Sequence, residues 1–245
     1  MRIDILTLFP DMCETVMSES IIGRARTAGK IQVHCHQIRD YSTSKHRTTD
    51  DTLYGGGKGM LMQAEPIYRC WEELVRNSGS SPHVIYMTPK GKPLTQTRAA
   101  ELSQLEHVCV ICGHYEGVDQ RLIDEIVDEQ ISIGDYILTG GELPALVFCD
   151  CIARLCEGVL SDESCWQEES LNSDGLLEAP HYTKPAEWRG RCVPEVLTTG
   201  HHANIERWRR EQALLCTLRS RPDLLEKAKL TAQDKLFLAR QELET

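Results

Sequence analysis

No apolar run in this sequence is long enough to cross a membrane; one of the longest, residues 145–149, covers five positions where about 20 are needed. The first ten residues lack the long apolar core and small-residue cleavage site of a secretory signal, and Asp4 interrupts them. A second C-x-x-C pair is missing, so Cys109 and Cys112 have no partner pair to complete a zinc site. Internal repeats and low-complexity tracts are absent too. The 11 cysteines are odd in number and scattered from Cys13 to Cys216, which is not the pattern of a disulfide framework. These absences predict a cytoplasmic protein with reduced cysteines, Cys109 and Cys112 being small core residues in an apolar run.

What is present suits a globular chain. Hydrophobic residues make up 41% of 245 positions, which excludes a disordered chain, and the length implies one large or two modest domains. The net charge of −10 is unevenly spread. Residues 176–245 hold 12 Lys and Arg against 10 Asp and Glu, leaving 15 against 27 in the rest. A basic face on the C-terminal part can therefore still hold phosphates, and nucleic acid is not excluded.

Along the first 160 residues, β-branched runs at 3–8, 31–38, 84–88, 108–112 and 129–133 predict strands. Helical patterns lie near 11–27, 65–77, 95–105, 118–124 and 142–156, with Thr95 able to cap its helix. Such alternation predicts an α/β domain, a mainly parallel sheet with helices on both faces. Residues 158–175 carry five acidic residues, four serines and no periodicity, which reads as a mobile acidic linker. Helical patterns around 202–219, 223–229 and 231–242 then predict a small all-α C-terminal domain. The expected division is 1–160, a linker at 161–175, and 176–245.

Two glycine clusters could carry chemistry. The first, Tyr54-Gly55-Gly56-Gly57-Lys58-Gly59-Met60, fails as a P-loop because Lys58 is followed by Gly59 rather than Ser or Thr. It fails as a dinucleotide fingerprint because polar residues, not a strand, precede it. A flexible surface loop and a close backbone approach to a ligand both remain open. The second, running from Ser132 to Pro144, follows a strand and precedes a helix, where open α/β sheets place ligands. Tyr86-Met87-Thr88-Pro89 and Cys112-Gly113-His114-Tyr115-Glu116-Gly117 end two other strands. Three such loops predict a concave pocket suited to binding a cofactor by backbone hydrogen bonds.

These residues carry a resemblance. The sequence resembles the bacterial tRNA (guanine-N1)-methyltransferases, of the SPOUT class of S-adenosylmethionine-dependent RNA methyltransferases. Besides the loops above it rests on Ile5-Leu6-Thr7-Leu8-Phe9-Pro10, His46-Arg47-Thr48, Asp50-Asp51, Pro180-His181-Tyr182-Thr183 and Arg207-Trp208-Arg209, and so spans nearly the whole chain. The resemblance implies a deep trefoil knot formed by the three loops, a homodimer with the active site at its interface, and tRNA as substrate. Its target would be N1 of the guanine immediately 3′ of the anticodon. It also implies magnesium dependence, though no carboxylate cluster in the sequence marks a metal site.

Carried over by position, the cofactor contacts would be Tyr86, Met87, Thr88, Pro89, Gly113, Glu116, Ile133, Gly134, Asp135, Tyr136, Ile137, Leu138, Gly140, Gly141 and Pro144. Asp50, Tyr54, Gly55, Gly56, Gly57 and Gly59 would face the guanine, with Arg207, Arg209 and Arg210 on tRNA phosphates. Arg154 would be the catalytic arginine and Glu169 the general base, where the family usually has aspartate; Glu168 stands beside it. His114 replaces a usual arginine, and Lys58 a frequent proline. Guanine N1 is a poor nucleophile until it loses its proton, which a carboxylate in reach can take while a guanidinium stabilises charge building towards O6. Two rivals are a non-catalytic RNA-binding protein on the same scaffold and a nucleotide-dependent dehydrogenase. The latter needs a glycine fingerprint after its first strand, and no glycine occurs before Gly23.

Overall fold

The computed structural model describes residues 1–160, 169–171 and 174–243. They fall into two compact units, Met1–Asp162 and Glu163–Thr245. Most of the acidic stretch expected to be a mobile linker, with Glu168, lies outside the described residues.

The first unit begins β1 (Arg2–Thr7), α1 (Pro10–Met17), α2 (Ser20–Thr27), β2 (Gln32–Gln37), β3 (Asp50–Thr52), β4 (Met60–Met62) and α3 (Ala64–Ser78). It continues β5 (His83–Pro93), α4 (Gln96–Leu102), β6 (His107–Cys112), α5 (Gln120–Ile126), β7 (Glu129–Ser132) and α6 (Glu142–Ala153). Five strands form one sheet in the order β2-β1-β6-β5-β7, every pair parallel. All six residues of β6 are buried, as are five of six in β1; continuous apolar runs of this kind suit central strands covered on both faces. Cys109 and Cys112 are fully buried there. In α3 the buried Pro66, Ile67, Cys70 and Leu74 recur at helical spacing, and the helix stops at Gly79, whose φ of +69° a side chain would resist. Thr95 Oγ1 accepts from Arg98 N at 3.2 Å and starts α4.

Three expectations need correction. The single helix expected over 11–27 is two, broken where Ser20 takes a φ of +56° and Gly23 packs directly on the Ser18 carbonyl. The helix expected at 118–124 starts two residues later, where Asp119 accepts from Arg121 N. The strand expected to end at Thr88 continues to Pro93. It pairs with β7 twice: Ile85 to Met87 meet Glu129 to Ile131, then Lys92 and Pro93 meet Ile131 and Ser132. Between the two pairings a Cβ on Gly91 would lie 2.6 Å from the Gln130 carbonyl oxygen, so only glycine lets β5 bend this closely against β7.

The second unit is not purely helical. It carries a small antiparallel hairpin, β8 (Glu187–Trp188) with β9 (Arg191–Cys192), before α7 (His202–Ser220), α8 (Pro222–Leu225) and α9 (Ala232–Leu243). Two residues per strand give too little alternation to be seen in sequence. The helix expected over 223–229 is the four-residue α8, begun by Pro222 at its first turn.

Candidate active site

A cavity of about 420 Å³ opens beside the middle of β5, where β6 and β7 end. Tyr86, Met87, Thr88, Pro89 and Lys90 form one wall, and Gly113, His114, Tyr115, Glu116 and Gly117 a second. The third comprises Ile131 to Gly134, Tyr136 to Gly141, and Pro144. Every residue expected at the cofactor is therefore a lining residue except Asp135, which is exposed and not among them. Its neighbours explain this: Ser132 Oγ bonds both Gly134 N and Gly134 O at 3.1 Å, and Tyr136 OH donates to Ile133 O. The loop folds on itself and sends residue 135 outward.

The walls are held by glycine-enabled contacts. Gly141 N donates to Gly113 O at 2.7 Å, and a Cβ on Gly141 would lie 2.6 Å from Gly113 N. A Cβ on Gly113 would meet the Tyr86 hydroxyl at 2.8 Å. Burial pushes the Tyr86 phenol above its ordinary value, so it stays protonated.

Sequence reasoning missed the polar chain behind these walls. Glu142, 3% exposed, accepts from Thr7 Oγ1 at 2.7 Å, and His114 Nε2 lies 2.7 Å from its other oxygen. Thr7 Oγ1 in turn accepts from Phe9 N at 2.9 Å. A carboxylate only accepts, so His114 donates. Thr7 and Glu142 are 135 positions apart, and no local pattern signals their meeting. The only cue was Tyr115 and His114 sitting after a strand; Tyr115 has a φ of +58°, uncommon for a bulky residue.

The glycine cluster is the exposed tip of a hairpin. Asp50 faces Met62 across β3 and β4, while Tyr54 is fully exposed and Gly55, Gly56 and Gly57 border open space. This hairpin is tied to the second wall, with Glu116 N donating to Met60 O and Met62 N to Gly117 O. A Cβ on Gly59 would lie 2.5 Å from Glu116 Oε1, so the carboxylate and the hairpin tip adjoin.

The remaining candidates lie elsewhere. Arg154 caps the C-terminus of α6 and is not a lining residue. Glu169 is half-buried in the second unit, beside Ser170, whose Oγ accepts from Glu178 N. Arg207 and Arg209 are exposed on α7, Arg207 donating to Asn204. Arg210 is different: it donates to Asp174 at 2.6 Å and to Asp234 at 2.8 Å, so its guanidinium holds the second unit together. Among the described residues no group of three or more His, Cys, Asp or Glu side chains is placed to hold a metal ion. No helix among them is long and apolar enough to cross a membrane.

Comparison with known proteins follows the same lines. The profile of the tRNA (Guanine-1)-methyltransferase TrmD family matches residues 1–227. A tRNA (guanine-N(1)-)-methyltransferase of Ruminiclostridium cellulolyticum is 54% identical over 93% of this chain and 97% of its own. One from Staphylococcus aureus is 48% identical over 98% and 97%. The crystal structure of the tRNA (m1G37) methyltransferase from Aquifex aeolicus superposes with a TM-score of 0.76 at 38% identity, over 93% of this chain and 95% of that one.

Proposed function

The chain belongs to the tRNA (guanine-1)-methyltransferase family and is a tRNA (guanine-N1)-methyltransferase, and on that premise we propose that it methylates the guanine immediately 3′ of the anticodon with S-adenosylmethionine as donor. The observation that carries the reading is the 420 Å³ cavity with Glu116 on its rim against Gly59. A pocket of cofactor size thus adjoins a glycine-rich surface that a base can approach closely. Full-length relatives named as methyltransferases favour this over a non-catalytic RNA-binding protein.

The cavity fits S-adenosylmethionine: its glycines pack so tightly on Tyr86, His114 and the Gly113 backbone that side chains would fill the space, and its walls mix apolar and polar groups. Tyr86 to Pro89, Gly113, Glu116, Ile133, Gly134, Tyr136 to Leu138, Gly140, Gly141 and Pro144 would hold it. When bound, the cofactor supplies an electrophilic methyl group, so no protein nucleophile is needed. Asp50 and Tyr54 to Gly59 position the guanine. Glu169 removes the N1 proton, and the Arg154 guanidinium stabilises the charge developing towards O6 without reorganising. The family reading also carries a trefoil knot, with the segment after β7 threaded past the β5 and β6 loops, and a SPOUT assignment. Magnesium dependence rests on the resemblance alone.

We place the active site at a homodimer interface. Along α6, from Gly141 to Arg154, the 12-residue helix spans about 18 Å, beyond the reach of an arginine side chain. In the homodimer we propose, Arg154 serves the cavity of a second copy. Phe9, Met12 and Val16 around α1 and Leu143 and Val147 on α6 are 41–51% exposed, an apolar face for that copy. The first unit then carries cofactor and knot, and the second, joined through the acidic linker, grips the tRNA in the cytoplasm.

Incubation with labelled S-adenosylmethionine and unmodified tRNA, followed by nucleoside analysis, tests the reaction; label anywhere but N1-methylguanosine refutes it. Glu169→Gln should slow single-turnover transfer by about 100- to 10,000-fold while leaving S-adenosylmethionine affinity intact. Glu168→Gln should cost far less; the reverse ranking moves the base to Glu168.

A further inference from the structure

Residues 181–192 of the second unit are exposed at every position. They are nonetheless ordered into β8 and β9, with Trp188 opposite Arg191 and Val193 N donating to Ala186 O at 2.8 Å. Arg189 and Gly190 make the two-residue turn, with φ of +50° and +75°. Positive values at both positions define the tight hairpin turn that favours Asn-Gly or Asp-Gly. Arginine sits where asparagine would be less strained, so the stability of the turn does not account for it. Nor does packing account for Trp188: a hairpin this short buries little, and the residue stays 60% exposed. The Arg189 guanidinium lies over that indole, 4.9 Å from the ring centroid, and Arg191 faces it across the strands. Glu187 is the only acid in the hairpin.

An exposed indole between two arginines is suited to single-stranded nucleic acid, where bases stack on aromatic faces and guanidiniums meet phosphates. We propose that the β8–β9 tip, Trp188 with Arg189 and Arg191, binds an unpaired nucleotide of the tRNA substrate. The indole stacks on the base and the arginines hold the flanking phosphates. This contact rests on the tRNA methyltransferase reading above. It is indifferent to base identity, because every base offers a stacking face.

The test measures the affinity of the full-length protein for unmodified tRNA across a salt series, with S-adenosylmethionine affinity and sedimentation alongside. Trp188→Ala should weaken tRNA binding about 5- to 100-fold, and Trp188→Phe should retain most of the affinity. Arg189→Asn suits the turn and so keeps the hairpin. It should weaken binding and reduce the slope of log affinity against log salt by about 0.7, one single-strand phosphate. Cofactor affinity and oligomeric state should match the parent in all three. If Trp188→Ala and Arg189→Asn bind tRNA as the parent does, or if they change oligomeric state instead of RNA affinity, the hairpin is not an RNA site. Failure of the parent protein to bind or methylate tRNA is a separate result, and it would remove the underlying reading together with this one.

Discussion

His114 and Glu142 show how single side chains fix the cavity walls. With His114 removed, a carboxylate only 3% exposed keeps Thr7 as its one remaining side-chain partner among the described residues. His114→Ala should therefore cost about 1–3 kcal/mol of stability, read by denaturant unfolding, while His114→Gln, which can still donate, should cost less. The glycines divide similarly. An added Cβ at Gly141 meets the backbone of Cys112 and Gly113, which cannot turn aside, whereas at Gly56 it meets nothing and bears only the cost of a φ of +81°. Gly56→Ala should cost about 1–2 kcal/mol; Gly141→Ala should cost more and abolish S-adenosylmethionine binding, compared by calorimetry. A bulky residue at 141 therefore disrupts the wall itself before it can obstruct a ligand. Glycine and proline after strands made the lining loops legible in sequence. The Thr7–Glu142–His114 chain was not, because burial and long-range proximity bring it together.

At the level of elements, α7 shows where periodicity stops informing. Arg207 and Arg210 are three residues apart and share a helical face, which predicts a common role on phosphates. Arg210 instead binds Asp234, of α9, and Asp174. Its guanidinium holds the Asp234 carboxyl at about 2, below the ordinary 3.8. A depressed value stabilises the fold above the unfolded pKa, and that contribution is lost as pH falls from about 4 through 2. Thermal unfolding should therefore drop across that interval in the parent and drop less in Arg210→Ala, which is already destabilised at neutral pH. Arg207→Ala should leave stability unchanged and flatten the salt dependence of tRNA affinity. The helix expected over 11–27 failed for a comparable reason: the composition is helical throughout, and the break at Ser20 depends on Gly23 packing on the Ser18 carbonyl.

For the whole molecule, strand–helix alternation made a parallel sheet legible, but neither its order nor the second pairing of β5 with β7 could be read, since both are set by long-range contacts. Likewise, Phe9, Val16 and Val147 look like ordinary amphipathic positions until the fold puts them on one exposed face. Charging that face with Val16→Glu and Val147→Glu should yield monomers by sedimentation and abolish methyl transfer, because Arg154 would no longer reach a neighbouring cavity. Mixing Arg154→Ala chains with Gly141→Ala chains should restore activity in part; no recovery would mean that each chain uses its own arginine. The sheet order also sets a schedule for protein synthesis. β1 lies between β2, its near neighbour in sequence, and β6, whose His107 to Ile111 meet Arg2 to Leu6. On the ribosome the 75 residues from Gln37 to Cys112 take about 4 to 15 seconds to add. For that time one edge of β1, with Ile3, Ile5 and Leu6, waits without its partner, and the nascent chain, rather than the finished enzyme, is the form most exposed to chaperones, proteases and its own neighbours on the polysome.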